Sequence, residues 1–158
     1  MSHAVLIAHL RELLRGGSAH TTFADAVKGF PVERAGVRPE GLPYSAWELV
    51  EHIRLAQNDV LRFSQEPDYV SPEFPAGYWP SSPAPRNEAE WNQSVKAIHD
   101  DLAAFERLLD RRADQLEKPF PWGQGQTLLR EALLIADHNS YHIGQLVLVR
   151  RLLGAWSE

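Results

Sequence analysis

The stretch LLREALLIADHNSYHIGQLVLVRRLL, residues 128–153, decides the fold of this chain. It contains no Pro and a single Gly, Gly144, and a helix of this length would measure roughly 39 Å. The pattern predicts a helix that starts near Thr127 and ends at Gly154. Apolar residues cover well over half of its circumference, which is typical of a central helix or of one shared with a second subunit. We favour the second alternative, a homodimer.

His138 and His142 lie four residues apart in the middle of this helix, so both imidazoles point from one face and can reach one cation. Seven histidines in 158 residues give about 0.3 such pairs by chance, which makes the pair weak evidence alone. A stable zinc-type or nickel-type site needs at least three protein ligands. The best candidate for the third is His52, at the edge of an apolar stripe where a solitary imidazole would need a partner. From the residues alone, a three-histidine metal site and a set of structural or exposed histidines both remain open.

The N-terminal part of the chain predicts one long helix and one short helical piece. The long helix covers residues 2 to about 15, with leucines at helical spacing, and Gly16 ends it. The short piece can be capped by Thr22 and is stopped by Pro31.

Capping signals predict the two middle helices. Ser45 followed three residues later by Glu48 is a capping box, and the helix that it begins runs to about Gln65. Asn87 caps the next helix, which spans about residues 87–113. With the helix around His138 these make four long helices and no convincing strand, so the sequence predicts an all-α four-helix bundle in one domain, residues 1–158.

The segment between the middle helices, residues 67–86, is rich in proline and aromatic residues. Fully extended it could span up to roughly 66 Å, about twice the length of the helix before it. Such a crossover can return along the bundle and let the next helix run parallel to the previous one. Tyr78 and Trp79 in this segment could close the mouth of a site or simply pack on the body.

Composition excludes several classes of function. A net charge of −5 argues against binding to nucleic acid, which depends on clustered Lys and Arg. The chain has no Cys, so a thiolate nucleophile and a thiolate metal site are excluded. No uncharged apolar run reaches about 18 residues and the N-terminus lacks a basic region, so we expect a cytoplasmic protein without a membrane span.

Three segments carry a resemblance to a known family: WELVEHIRLAQNDVLRF around His52, WNQSVKAIHDDL from Trp91, and LLREALLIADHNSYHIGQLVLVRRLLGAW. With these motifs the chain resembles the DinB/YfiT-like family of metal-dependent enzymes over most of its length. The resemblance implies a four-helix bundle with up-down-down-up connectivity and a long crossover between its second and third long helices. It also implies that His52, His138 and His142 bind a divalent transition metal, with zinc or nickel favoured. Gln145 matches the motif without an assigned role.

Three further residues near the ligands are candidates for a catalytic role: Glu131, Gln145 and Glu48. Glu48 is first of all the capping-box partner of Ser45, and Glu131 is a first-turn carboxylate that the helix dipole favours. Either could be a general base only beside an open position of the metal. Asn139 and Asp137 are interpreted as surface, interface or ligand-supporting groups.

The functional hypotheses come from different classes. The first is a metal-dependent enzyme acting on a small-molecule substrate, which the family resemblance suggests is a transferase that uses a low-molecular-weight thiol or a hydrolase. The alternative is a non-catalytic, stress-related dimer that binds metal. DNA binding is a third hypothesis, and the acidic composition opposes it.

Overall fold

Residues 3–156, the part of the chain that the computed structural model describes, contain four long α-helices and one short α-helix. They are α1 (His3–Arg15), α2 (Phe23–Val27), α3 (Ala46–Gln65), α4 (Glu88–Arg111) and α5 (Leu128–Leu152). Within these residues there is no β-strand, and the all-α helical bundle is confirmed, with α2 as the short piece. The predicted start at residue 2 lies outside the described residues, as do residues 157 and 158.

Each of the three longest helices begins at the polar residue that the sequence indicates. Ser45, Asn87 and Thr127 accept a hydrogen bond from the third backbone N–H of α3, α4 and α5, respectively. Such caps are worth about 1 kcal/mol each because they satisfy an N–H that has no partner inside the helix. At its other end α4 stops at Arg111, two residues before the predicted end, and the chain continues as a 3₁₀ turn over Ala113–Gln115.

Helices α3 and α4 run parallel. Trp47 near the start of α3 packs against Trp91 near the start of α4, with ring centroids 6.5 Å apart. At the opposite ends, Arg111 donates a hydrogen bond to Gln65. The crossover of residues 67–86 therefore returns along the bundle, as its length predicts, before α4 begins.

Helices α1 and α5 run in the other direction. Arg11 pairs with Asp110 at 2.5 Å and Arg15 with Glu106 at 2.6 Å, so α1 and α4 are antiparallel. Trp122, just before α5, donates to the carbonyl oxygen at residue 63 near the end of α3. The order is therefore up-down-down-up.

The apolar core consists of two clusters, separated along α3 and α5 by polar residues. One cluster contains Ile53 and Ile143, the other Leu61 and Ala136, and the buried Gln57 and Asn139 lie between them. A buried polar layer is costly unless its groups are hydrogen-bonded to each other.

Among the described helices, none has the length and apolar character needed to cross a membrane.

Candidate metal centre

Three imidazoles meet in the polar layer between the two apolar clusters. His52 comes from α3, and His138 and His142 come from successive turns of the antiparallel α5. One ring nitrogen from each lies within 4.8 Å of the others, and the Nε2 atoms of His52 and His138 are only 3.0 Å apart. The structure thus brings together all three histidines that the resemblance implies as ligands.

A protein oxygen contacts the Nδ1 atom of each ring. His52 Nδ1 lies 2.7 Å from the carbonyl oxygen of Tyr78, which can only accept, so this nitrogen carries the proton. His142 Nδ1 lies 2.7 Å from Oε1 of Gln145, which gives this motif residue a structural role. His138 Nδ1 lies 3.3 Å from Oδ1 of Asn139. When Nδ1 donates, Nε2 keeps its lone pair for a ligand bond.

The orientation of His138 is set by a relay that begins on α4. The carbonyl oxygen of Ile98 accepts from Gln57 Nε2 at 2.7 Å, which turns the Gln57 oxygen towards Asn139. That oxygen accepts from Asn139 Nδ2 at 2.8 Å, and the Asn139 oxygen is left facing His138. Since the first acceptor is a backbone carbonyl, both amides have only one satisfactory orientation.

This donor set fits a divalent cation. Two Nε2 lone pairs 3.0 Å apart repel each other unless a proton or a metal ion lies between them. Burial lowers the pKa of all three imidazoles. The neighbouring His138 and His52 add to this effect at His142, whose pKa falls to about 4. The rings are therefore neutral at pH 7, the form that binds a metal. Tetrahedral zinc bonds of about 2.0–2.1 Å would place two such nitrogens about 3.3 Å apart, close to the 3.0 Å between the Nε2 atoms of His52 and His138.

Residues of the crossover pack against the imidazole of His52. The indole of Trp79 stacks on the imidazole with ring centroids 4.0 Å apart and planes 8° apart. The hydroxyl of Tyr78 donates to Asp59 at 2.9 Å. Burial, reinforced by Asp59, raises the pKa of Tyr78 to about 12, so the phenol keeps its proton. Tyr78 and Trp79 thus pack on the site and also line the cavity beside it.

That cavity has a volume of about 330 Å³ and lies between α3, α5 and the crossover. All three imidazoles line it, together with Gln57 and Asn139. The other oxygen of Asp59 is buried and, within the described residues, is the one buried side-chain nitrogen or oxygen without a hydrogen-bond partner.

Two of the catalytic candidates lie elsewhere. Glu48 completes the capping box of α3 and pairs with Arg38, whose guanidinium helps to hold the pKa of Glu48 low against the opposing effect of burial. Glu131 is buried and bonded to Arg130, and burial raises its pKa. Neither lines the cavity, so neither is placed to act there as a base.

Gln57 is the residue that sequence reasoning missed. It is 1% exposed and lies four residues after Ile53 on the buried side of α3. The signal in the sequence was a polar residue in line with an apolar stripe, because a buried amide such as that of Gln57 needs hydrogen-bond partners. Asn139 is buried and its side-chain oxygen faces His138, whereas Asp137 is exposed.

Comparison with known proteins gives a family. The sequence model of the DinB superfamily matches residues 18–146, a range that contains all three histidines and the crossover. No curated protein and no solved structure matches the chain.

Proposed function

The chain belongs to the DinB superfamily, and we propose that it is a metal-dependent enzyme in which His52, His138 and His142 hold one divalent transition-metal ion. The observation that carries the proposal is the convergence of the three rings, with ligand atoms within 4.8 Å and each Nδ1 beside an oxygen. Zinc and nickel suit such an imidazole set.

The cavity supports a catalytic site over a sealed structural one. Three protein ligands leave coordination positions for small molecules, and the imidazoles open onto a space of about 330 Å³. A divalent ion would lower the pKa of a coordinated water or thiol and attract the resulting anion. The rings contribute no negative charge, so the charge of the ion would not be neutralised by its ligands. This favours a catalytic protein over the non-catalytic, stress-related alternative.

Of the two reaction types, we propose transfer to or from a low-molecular-weight thiol. A thiol ionises near neutral pH more readily than water and needs no dedicated base. Asp59 is the single carboxylate among the described residues lining the cavity; it already accepts from Tyr78 and lies two helical turns from His52. Hydrolysis is the second candidate, and the unpaired oxygen of Asp59 favours it, since that oxygen could accept a proton.

Metal analysis tests the proposal directly. Protein purified without added metal or an affinity tag should contain about one ion per chain, and His52→Ala or His142→Ala should lose most of it. His9→Ala, which removes an exposed imidazole on α1, is the matched control and should retain the ion. Equal metal content in all four proteins would refute the site. Turnover of a small thiol with an electrophile that depends on His52 would then support the transferase over the hydrolase.

The remaining predictions concern assembly and location. A homodimer, a small-molecule substrate, a cytoplasmic location and the absence of a nucleic-acid partner are all retained as predictions. The acidic net charge of −5 supports the last of these.

A further inference from the structure

The cavity beside the imidazoles is apolar over most of its wall, although the site it adjoins is polar. Its volume of about 330 Å³ is roughly twice that of an apolar cavity able to hold benzene, on the order of 150 Å³. The apolar wall comes from α3, α5 and the crossover: Ala56, Val60, Leu134, Ile135, Phe74 and Pro75.

Apart from the unpaired oxygen of Asp59, the polar side chains of the wall that flank the imidazoles are already hydrogen-bonded within the protein. Gln57 and Asn139 bond to each other and onward to α4 and His138, and the hydroxyl of Tyr78 donates to Asp59. Of the described residues that line the cavity, none is Lys or Arg. A carboxylate or phosphate far from the imidazoles would therefore meet Asp59 and apolar side chains, with no cation to offset its desolvation.

The rim of the cavity carries an exposed aromatic side chain. Phe74 is 84% exposed, with its ring centroid 6.2 Å from that of Tyr78. Val70, on the same crossover, is equally exposed but lies outside the lining of this cavity. A large apolar side chain at the mouth of an apolar cavity offers surface that a bound molecule would remove from water.

From this wall and its charge we infer that the site takes a substrate with an uncharged apolar arm, aliphatic or aromatic, attached to the group that reaches the imidazoles. The inference rests on the proposed function for the head group and adds the chemistry of the arm. The arm lies along Leu134, Ile135 and Val60, and Phe74 covers its outer end. Substrates that carry several negative charges are disfavoured.

A homologous series of metal-binding probes tests this. Zinc is first titrated into the metal-free protein by calorimetry, and n-alkyl hydroxamic acids, from acetohydroxamic to octanohydroxamic acid, are then titrated into the zinc form. Affinity should rise about fourfold for each added methylene until the cavity is filled. A six-carbon hydroxamic acid ending in a carboxylate should bind more weakly than hexanohydroxamic acid.

Two matched pairs of variants locate the arm. Phe74→Ala should weaken octanohydroxamic acid about fivefold or more, while Val70→Ala leaves its affinity unchanged. Leu134→Asn should flatten the chain-length dependence, whereas Val37→Asn, at an exposed apolar position outside the lining of the cavity, should not. Affinity for acetohydroxamic acid should be the same in all four variants, because that probe has no arm.

The outcomes separate the two proposals. Failure of the wild type to bind zinc more tightly than His52→Ala would overturn the proposed function and, with it, the head-group half of the inference. Zinc binding with a flat series, or tighter binding of the carboxylate probe, would overturn the apolar arm alone.

Discussion

At the scale of the residue, the arrangement of the three imidazoles depends on side chains behind them, and Gln57 is the clearest case. Gln57 is hydrogen-bonded to Ile98 and Asn139 and not to any of the three rings, yet these two bonds determine which atom Asn139 presents to His138. Supporting groups of this kind fix the tautomer and the orientation of a ligating histidine.

We expect Gln57→Leu to lower zinc affinity about 10- to 100-fold, the range typical for loss of an outer partner of a metal ligand. The amide of Asn139 would lose the acceptor that fixes it, so His138 would lose its preferred tautomer. Competition with a chromogenic chelator measures the affinity, and circular dichroism verifies folding. Asn58→Leu is the control, because the adjacent Asn58 bonds to Asp101 on α4 and not to the relay. Equal losses in both variants would attribute the effect to general helix packing.

The buried carboxyl of Glu131 should make the free energy of unfolding depend on pH. Burial raises its pKa in the folded protein, so the stability that it contributes is fully present below the pKa of the unfolded chain and is lost as pH rises through the folded pKa. Glu131→Gln should therefore increase the free energy of unfolding at pH 7 and leave little difference in acid.

Urea unfolding at a series of pH values measures this effect. Glu117→Gln, at an exposed position, should follow the wild type throughout. A Glu131→Gln protein that is less stable at pH 7 would show that the ion pair with Arg130 outweighs the cost of burial.

At the scale of the element, the start of α3 anchors two parts of the molecule. Ser45 accepts from the backbone N–H of Glu48, and its hydroxyl also donates to the carbonyl oxygen of Pro83 at 2.5 Å. The Ser45 side chain thus caps the helix that carries His52. It also holds the C-terminal end of the crossover, the segment whose Trp79 packs on the His52 imidazole.

Ser45→Ala should destabilise the protein by about 1–2 kcal/mol, at the upper end of the range for a cap, because a second hydrogen bond is lost with it. Asn87→Ala removes a comparable but exposed cap on α4 and should cost only about 1 kcal/mol or less. Chemical denaturation gives both values. A larger loss for Asn87→Ala would contradict the double role of Ser45.

At the scale of the whole molecule, α5 carries two neighbouring surfaces of different character. One strip carries the imidazoles, and an adjacent arc of about 100° exposes large apolar side chains. These are Leu133, Tyr141, Leu148 and Leu152. An apolar stripe along a central helix is the kind of surface that a second subunit can cover in an isologous contact.

We expect the protein to be a homodimer that uses this stripe. The double change Leu148→Lys and Leu152→Lys should give a monomer, because it places two charges in the contact of each subunit, while zinc binding should persist. Sedimentation velocity measures the mass. Val37→Lys, which alters an exposed apolar residue in the connector before α3, should leave the dimer intact. A wild-type monomer at micromolar concentration would refute the prediction.

The sequence by itself determined the helices, and the family resemblance of its motifs singled out His52, His138 and His142. Caps such as Ser45, breakers such as Pro67 and the spacing of His138 and His142 act within a few residues, so local sequence is sufficient. The number of residues in the crossover also indicated the parallel α3 and α4 that the structure shows, because a short loop could not return along the bundle.

The tertiary structure alone decided which polar side chains serve the site. The side chains of Gln57 and Asn139 lie 82 positions apart and bond only because α3 and α5 pack antiparallel. The same packing buries Glu131 away from the cavity. Side-chain partners, burial and the pKa shifts that follow from burial are set by helices distant in sequence, and no local pattern contains that information.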